Sequence, residues 1–205
     1  MSQDEEVRVR ILVIFCHPST ESYGAALYEL ACRTLRASGH ELRCHDLYRE
    51  GFDPVLSTEE WENYLTGTDT IIVRNPEHVD DVRWAEGLVV IYPTWYYGAP
   101  AMLKGWLERV WLPGVTFEVS DGKHRRPKPK MSQIRLFVGI TTSGSPWWWI
   151  MLIRDPGRSL WTRGLRLLFS RRCKVVWQQL YNMNHTSDAD RASFLKQVER
   201  RLQAL

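Results

Sequence analysis

Sixteen consecutive residues, Ile91-Tyr92-Pro93-Thr94-Trp95-Tyr96-Tyr97-Gly98-Ala99-Pro100-Ala101-Met102-Leu103-Lys104-Gly105-Trp106, join the end of a buried strand, an aromatic loop and the start of an amphipathic helix. Upstream, Gly87-Leu88-Val89-Val90-Ile91 is a short β-branched run of the kind that fills the middle of a parallel sheet and is covered on both faces. Downstream, Leu103, Trp106, Leu107, Val110 and Trp111 recur at helical spacing and form one apolar stripe. Between them, three aromatics in a row occupy a loop where a globular chain ordinarily places small polar residues. Such a loop suits a flat, partly apolar ligand, or else a hydrophobic contact with a second copy of the chain.

The same alternation recurs along the chain. Val7 to Phe15 reads as strand one, and Tyr23, Leu27, Leu30, Ala31 and Leu35 as a helix stopped by Ser38-Gly39. Glu41 to Leu47 alternates weakly, as an edge strand does, and Ser57-Thr58-Glu59-Glu60 is a capping-box pattern. In Thr66 to Asp81, Thr70 to Val73 can be read as a strand, but Asn75-Pro76 opens a helix leading into strand three, and an irregular or helical crossover is expected there. Val115 to Val119 reads as a small extended excursion, and Asp121 to Lys130 as a mobile loop. Ile134 to Ile140 is strand four, Leu160 to Phe169 a helix, Lys174 to Leu180 strand five. Ser187 caps a last helix that turns Leu195, Val198, Leu202 and Leu205 inward. Five strands alternating with helices predict an α/β fold with one doubly wound parallel sheet, and 205 residues suit a single domain over positions 1–205.

Composition narrows the function. The net charge of +3 is mild, but Arg125 to Lys130 is a basic cluster and Arg154 to Lys174 holds seven basic residues against Asp155 alone. These stretches suit anionic small molecules or an acidic protein surface, or simply face solvent. The four cysteines form no CxxC pair, so free thiols in a reducing compartment are expected. Cys16-His17 and Cys44-His45 end neighbouring strands, which makes a four-ligand metal site thinkable, but no other ligand cluster supports it and none is expected. The acidic start Met1 to Glu6 lacks the pattern of a secretion signal, and the longest apolar run, Trp147 to Ile153, is far too short to cross a bilayer. A cytoplasmic protein that neither inserts into a membrane nor binds nucleic acid is expected.

In an open α/β sheet the ligand lies beyond the carboxyl ends of the strands, and three unusual loops converge there. His17-Pro18-Ser19-Thr20-Glu21-Ser22-Tyr23 follows strand one and opens a helix, placing hydroxyls and free N–H groups at its positive end without the GxGxxG or GxxxxGK[ST] glycines. Read alone, it is equally an ordinary helix cap. Pro93 to Gly98 offers aromatic faces, and Thr141 to Ser145 offers small residues and amides. Together they match the phosphate, the ring and the polar edge of a flavin mononucleotide.

These residues resemble the flavodoxin-like NAD(P)H quinone oxidoreductases, which include DT-diaphorase and flavoproteins related to ancillary subunits of potassium-efflux systems. The likeness runs from about Val9 to Leu180 and rests on His17-Pro18-Ser19, Asp46-Leu47-Tyr48 with Phe52-Asp53-Pro54, the Pro93 to Gly98 loop with Pro100 and Leu103-Lys104-Gly105-Trp106, and Thr141-Thr142-Ser143-Gly144. It implies strand order 2-1-3-4-5, a homodimer, and noncovalent FMN or FAD; the short C-terminus favours FMN. It further implies transfer of hydride from NADH or NADPH through the flavin to a quinone or similar aromatic acceptor, by a ping-pong route. The alternative is a regulatory flavoprotein that docks on a cytoplasmic partner through Arg154 to Lys174.

Carried over by position, His17, Ser19, Ser22 and Tyr23 contact the phosphate and ribityl chain. Pro93, Thr94, Trp95, Tyr96 and Tyr97 hold the ring, and Thr141, Thr142, Ser143 and Gly144 close over its pyrimidine side. Gly24 stands where an Asn is frequent. An ungapped count places Trp149 and Asp155 where DT-diaphorase-like members carry a Tyr and a His that stabilise the reduced flavin, and neither can take over that task directly. Trp147, Trp148 and Trp149 either roof the flavin or pack under a second subunit. Arg125, Arg126, Lys128 and Lys130 are candidates to attract a 2′-phosphate.

Overall fold

The structure, a computed structural model, describes residues 8–119 and 126–205. Five parallel strands, β1 (Arg10–Phe15), β2 (Glu41–Asp46), β3 (Gly87–Pro93), β6 (Leu136–Thr142) and β7 (Lys174–Leu180), form one sheet in the order β2-β1-β3-β6-β7. Counting only these five, the order is 2-1-3-4-5, as the resemblance implies. A two-stranded antiparallel ribbon, β4 (Phe117–Glu118) with β5 (Lys128–Pro129), accounts for the extended excursion. Of the loop expected at Asp121 to Lys130, and of Arg125 among its basic residues, the part up to position 125 lies outside the described residues.

Burial explains the sheet. β1, β3 and β6 are covered on both faces, whereas β2 at the edge alternates between partial burial and exposure. Ile11, Val13 and Phe15 pack with Val89, Ile91, Val138 and Ile140 under α1 (Tyr23–Ala37) and α8 (Asp188–Gln203). Leu12, Ile14, Leu88, Val90, Tyr92 and Phe137 face the other way. They meet residues of α4 (Pro76–Trp84) and α5 (Ala101–Val110).

The segment expected as an irregular or helical crossover is helical at α3 (Asp69–Ile72), where Ile71 is buried, Ile72 packs against the core and Val73 at the C-cap is exposed. Two helical details differ from the periodicity. The apolar run at Trp147 forms its own helix, α6 (Trp147–Leu152). The helix expected over Leu160 to Phe169 is instead a short α7 (Pro156–Ser159), a π-helical turn at Leu160–Gly164 and a 3-10 turn at Leu165–Leu168. Apolar spacing reports which residues face inward, not the winding that brings them there. Trp161 stacks on Phe137 with ring centroids 5.4 Å apart and donates its Nε1–H to Tyr92 Oη at 2.9 Å, and the π turn adds the residue that this register needs. By contrast, the Ser57 capping box on α2 (Thr58–Glu62) and the Ser187 cap on α8 form as read.

Gly105 explains its place in the aromatic-loop motif. A Cβ there would lie 2.2 Å from the Pro54 carbonyl oxygen, so α5 can press on the Phe52-Asp53-Pro54 turn only with glycine. One turn later, Arg109 donates from Nη1 to the Asp53 carbonyl at 2.5 Å and from Nη2 to Glu60 Oε1 at 2.5 Å. Burial works against the Glu60 carboxylate, but the Ser57 N–H and Arg109 outweigh it and hold its pKa below the usual value.

The ends of β2 and α4 carry a chain of polar groups beside a cavity of about 750 Å³. The buried Trp106 donates Nε1–H to His78 Nδ1 at 3.2 Å, so the His78 hydrogen sits on Nε2, 3.6 Å from Glu50 Oε2. Glu50 Oε1 accepts from His45 Nδ1 at 3.1 Å, and His45 Nε2 donates to Asp81 Oδ2 at 2.9 Å. Burial disfavours a charged His45, yet Glu50 and Asp81 reverse this and raise its pKa. His78 is pushed down to about 4, by burial first and by the charge on His45 second. Ligand atoms of His45, Glu50 and His78 lie within 4.8 Å of one another, but a metal on His78 Nε2 would move hydrogen onto Nδ1, facing the Trp106 N–H. The thinkable set Cys16, His17, Cys44 and His45 does not come together either: His17 turns to Ser19, and Cys44 lies 3.7 Å from Cys32.

Two outcomes follow from this packing. Gly105→Ala should cost on the order of 3 kcal/mol through overpacking against Pro54, read as a lowered thermal midpoint; an unchanged midpoint would mean the helix and turn separate freely. For His78, whose folded pKa lies below the unfolded value near 6.5, the unfolded chain takes up the proton first as pH falls, so stability is lost on the acid side of 6.5. Between pH 6.5 and about 5, where carboxylates stay ionised, this amounts to about 2 kcal/mol. His45 has the opposite sign, with stability lost as pH rises through its raised pKa. Denaturant titrations of His78→Gln, which can still accept from Trp106, should lose most of the acid-side dependence; an identical pH profile would contradict the assignment.

Candidate functional site

The loops after β1, β3 and β6 meet at the carboxyl rim of the sheet, and a short segment after β7 joins them. Ser22 caps α1: its Oγ accepts from Ala25 N at 3.1 Å and donates to the Ser19 carbonyl at 2.9 Å. The Tyr23 and Gly24 amides, first in the helix, have no intrahelical acceptor. Ser19 N donates to His17 Nδ1 at 2.9 Å, an arrangement in which the ring carries its hydrogen on Nε2 and presents it as the outward donor. Tyr23 is anchored through its hydroxyl to the Arg191 carbonyl at 2.8 Å, so its ring is held in place by α8.

The loop after β3 is tied across the sheet. Thr94 donates twice to the Thr142 carbonyl, from N at 2.8 Å and from Oγ1 at 3.1 Å. Trp95 and Gly98 exchange both backbone hydrogen bonds, at 3.1 and 3.0 Å, which closes a tight turn with Tyr96 and Tyr97 at its tip. Both tip residues are left-handed, with φ of 47° and 64°, a conformation rare for aromatic residues. Tyr96 is fully exposed. Tyr97 is half-buried, and its hydroxyl accepts from Trp149 Nε1 at 3.0 Å, so its own hydrogen stays free to donate.

After β6, Ser143 Oγ accepts from Ser145 N at 3.2 Å, and Gly144 lies where a Cβ would sit 3.2 Å from Asn184 Nδ2. Thr141 is buried beneath the rim, with an Oγ1 that has no partner.

These loops bound two adjoining clefts that share Thr94 and Gly144. One, of about 330 Å³, is walled by His17, Ser22, Tyr23, Pro93, Trp95 and Thr142, with Met183 and Asn184. The other, of about 270 Å³, lies between Tyr96, Tyr97, Ser143 and Ser145. Of the residues singled out in the sequence, Ser19 shapes the first loop from behind and Thr141 underlies the third. Trp149 reaches the second cleft through Tyr97, and Asp155 lines a separate basic bowl. Met183 and Asn184 were not singled out, and Ser145 only as the end of the third loop. The run Asn182-Met183-Asn184-His185 just after strand five marks a fourth loop at the same rim, and Asn182 is itself left-handed.

The geometry can take a ligand with an anionic end and a flat ring, as a flavin has. Amides and a His N–H sit at a helix N-terminus for an anion, and an aromatic-walled slot lies next to it for a flat ring. Gly144 lines both clefts. Among the described residues no helix is long and apolar enough to cross a membrane.

Comparison with known proteins agrees with the fold. The family described as having a flavodoxin-like fold matches residues 9–203. The chain is 30% identical over 153 residues to the uncharacterized NAD(P)H oxidoreductase YcaK of Escherichia coli, covering 71% of this chain and 73% of that protein. It is 27% identical over 212 residues to NAD(P)H dehydrogenase [quinone] 1 of Cavia porcellus, covering 95% and 76%. Against other curated relatives the matched segment spans about half of their length, 49% and 55% in two cases. Among solved structures, Smu.1420 of Streptococcus mutans superposes with a TM-score of 0.83 at 25% identity over 96% of this chain and all of that one. An FMN-dependent NADH-azoreductase of Bacillus anthracis in complex with FMN superposes with a TM-score of 0.75 at 15% identity over 96% and 98%, a likeness of fold alone. The chain belongs to the flavodoxin-like fold family, among relatives named NAD(P)H oxidoreductase and NAD(P)H dehydrogenase [quinone].

Proposed function

We propose that the chain is a flavin-dependent NAD(P)H oxidoreductase that passes reducing equivalents from a pyridine dinucleotide to a quinone or similar flat aromatic acceptor, the two substrates taking turns in one slot. The observation that carries this reading is the pair of joined clefts, anion-binding at the α1 end and aromatic-walled at the Tyr97 end. The names of the relatives point the same way. FMN is favoured because the clefts are accounted for by a phosphate end and a ring end.

The flavin, when bound, accepts a hydride and gives it up again; the chain's residues do the rest. Ser22, the first amides of α1 and His17 Nε2–H hold the phosphate. Thr94, fixed to Thr142, keeps the aromatic loop at a set distance from the third loop. Tyr96 and the exposed Trp147, Trp148 and Leu152 leave an apolar face around the slot, which fits both a stacked aromatic substrate and the homodimer that would cover it. Proton traffic falls to Tyr97: Trp149 cannot exchange a proton, but by donating to Tyr97 Oη it aims the phenolic hydrogen away from itself and toward the cleft.

Ser22→Asp tests the phosphate end cleanly, because aspartate also caps helices while its charge opposes a phosphate. The thermal midpoint of the flavin-free protein should barely move, whereas FMN affinity should fall about tenfold or more. Unchanged affinity would move the phosphate elsewhere. Oxidation of NAD(P)H by the wild-type protein, measured with and without a quinone, tests the reaction itself; no acceleration by any quinone would leave only a carrier or docking role.

A further inference from the structure

A basic bowl of about 640 Å³ opens where α6 gives way to α7, lined by Arg154, Asp155, Arg158, Ser159, Thr162 and Arg163. It abuts the aromatic loop directly. A Cβ on Gly157 would lie 2.9 Å from the Tyr97 carbonyl and 3.7 Å from Gly98 Cα, and Trp149 of α6 bonds to Tyr97 from the same side.

The bowl is short of anions. Among the described residues, none of the three guanidiniums has a carboxylate oxygen within salt-bridge distance. Its one acid, Asp155, is buried and spends Oδ1 on the Arg158 backbone N–H at 3.2 Å. Burial, the leading cause, also raises the Asp155 pKa. The two hydroxyls give their hydrogens to backbone carbonyls, Ser159 to Arg154 at 3.0 Å and Thr162 to Arg158 at 2.9 Å. The donors left over are guanidinium N–H groups, which match phosphate oxygens.

The backbone is strained in the same place. Arg154 and Asp155 are consecutive left-handed residues, with φ of 62° and 42°, and neither is glycine. Each such residue costs on the order of 1–3 kcal/mol, and strain of this kind collects at ligand sites. The other basic candidates are placed differently. Arg166 turns to the carbonyls of Arg171 and Cys173, and Arg126 lines a separate groove with Phe117 and Pro129.

We propose that this bowl receives the phosphate groups of the pyridine dinucleotide whose nicotinamide end enters the slot at Tyr97. The inference rests on the oxidoreductase reading and adds where its reductant is recognised. The phosphates concerned are either the diphosphate shared by NADH and NADPH or the 2′-phosphate of NADPH alone.

The test uses Arg154→Asn with Arg163→Gln, since asparagine tolerates a left-handed backbone and Arg158 keeps its place beside Asp155. The kcat/KM is measured with NADPH, NADH and ribosyl-dihydronicotinamide, which has no phosphate, and the affinity of adenosine 2′,5′-bisphosphate and of ADP is measured by calorimetry. The variant should hold flavin as the wild type does, lose about tenfold or more with at least one dinucleotide and its matching adenosine probe, and be unchanged with ribosyl-dihydronicotinamide. Loss confined to NADPH assigns the 2′-phosphate, and equal loss with NADH assigns the diphosphate. No loss with any reductant, or equal loss with the phosphate-free one, overturns the proposal, as does salt-sensitive capture of an acidic protein with reductant kinetics intact. A wild type that binds flavin poorly and oxidises none of the three reductants refutes the oxidoreductase reading instead. Adenosine probes that then bind and weaken in the variant still assign the bowl to phosphate, and probes that do not bind overturn it.

Discussion

Two hydrogen bonds from Thr94 to the Thr142 carbonyl decide whether this molecule has a site at all. They join the loop after β3 to the end of β6 and so set the spacing between an aromatic wall and a small polar wall. The strands make this possible. β3 and β6 are buried on both faces and pair in register up to Pro93 and Thr142, so their ends arrive at one level. A shift of the register by one residue would turn Thr94 away and close the slot.

The fold was legible because its signals are local and redundant. Uninterrupted apolar runs marked the strands, and Ser57 and Ser187 marked helix starts that form with both halves of their capping boxes. What escaped was winding and partnership at a distance. Nothing in the spacing of Leu160 to Phe169 announces a π turn, because the contacts it serves are distant in sequence: Trp161 within it bonds to Tyr92 on β3 and stacks on Phe137. Thr70 to Val73, open between strand and helix in the sequence, is helical: strand preference expresses fit to a half-buried sheet, and here Ile71 and Ile72 meet the core while Val73 is exposed.

The site was legible in part for the same reason. His17, Ser22, Tyr23, Thr94 and Tyr97 stood out because aromatics and hydroxyls are unusual directly after buried strands. Asn184 did not, because a polar residue after strand five looks like any loop until Gly144 is seen beneath it. The basic stretch from Arg154 to Lys174 illustrates the limit of charge patterning: as sequence it is one block, but in space it separates into a bowl beside the aromatic loop and an inward-turned Arg166. Among the described residues, four of the five left-handed non-glycine ones, Tyr96, Tyr97, Arg154 and Asp155, lie within these two neighbouring features. Strain concentrated there is what a binding site, and not a passive surface, would show.

The central claim is that the joined clefts hold a flavin monophosphate with its ring against the Tyr97 loop. The most direct measurement titrates flavin-free protein with FMN and follows flavin fluorescence. The account predicts saturation at about one FMN per chain with strong quenching by the neighbouring aromatics. Fluorescence that stays at the level of free FMN throughout the titration would contradict it.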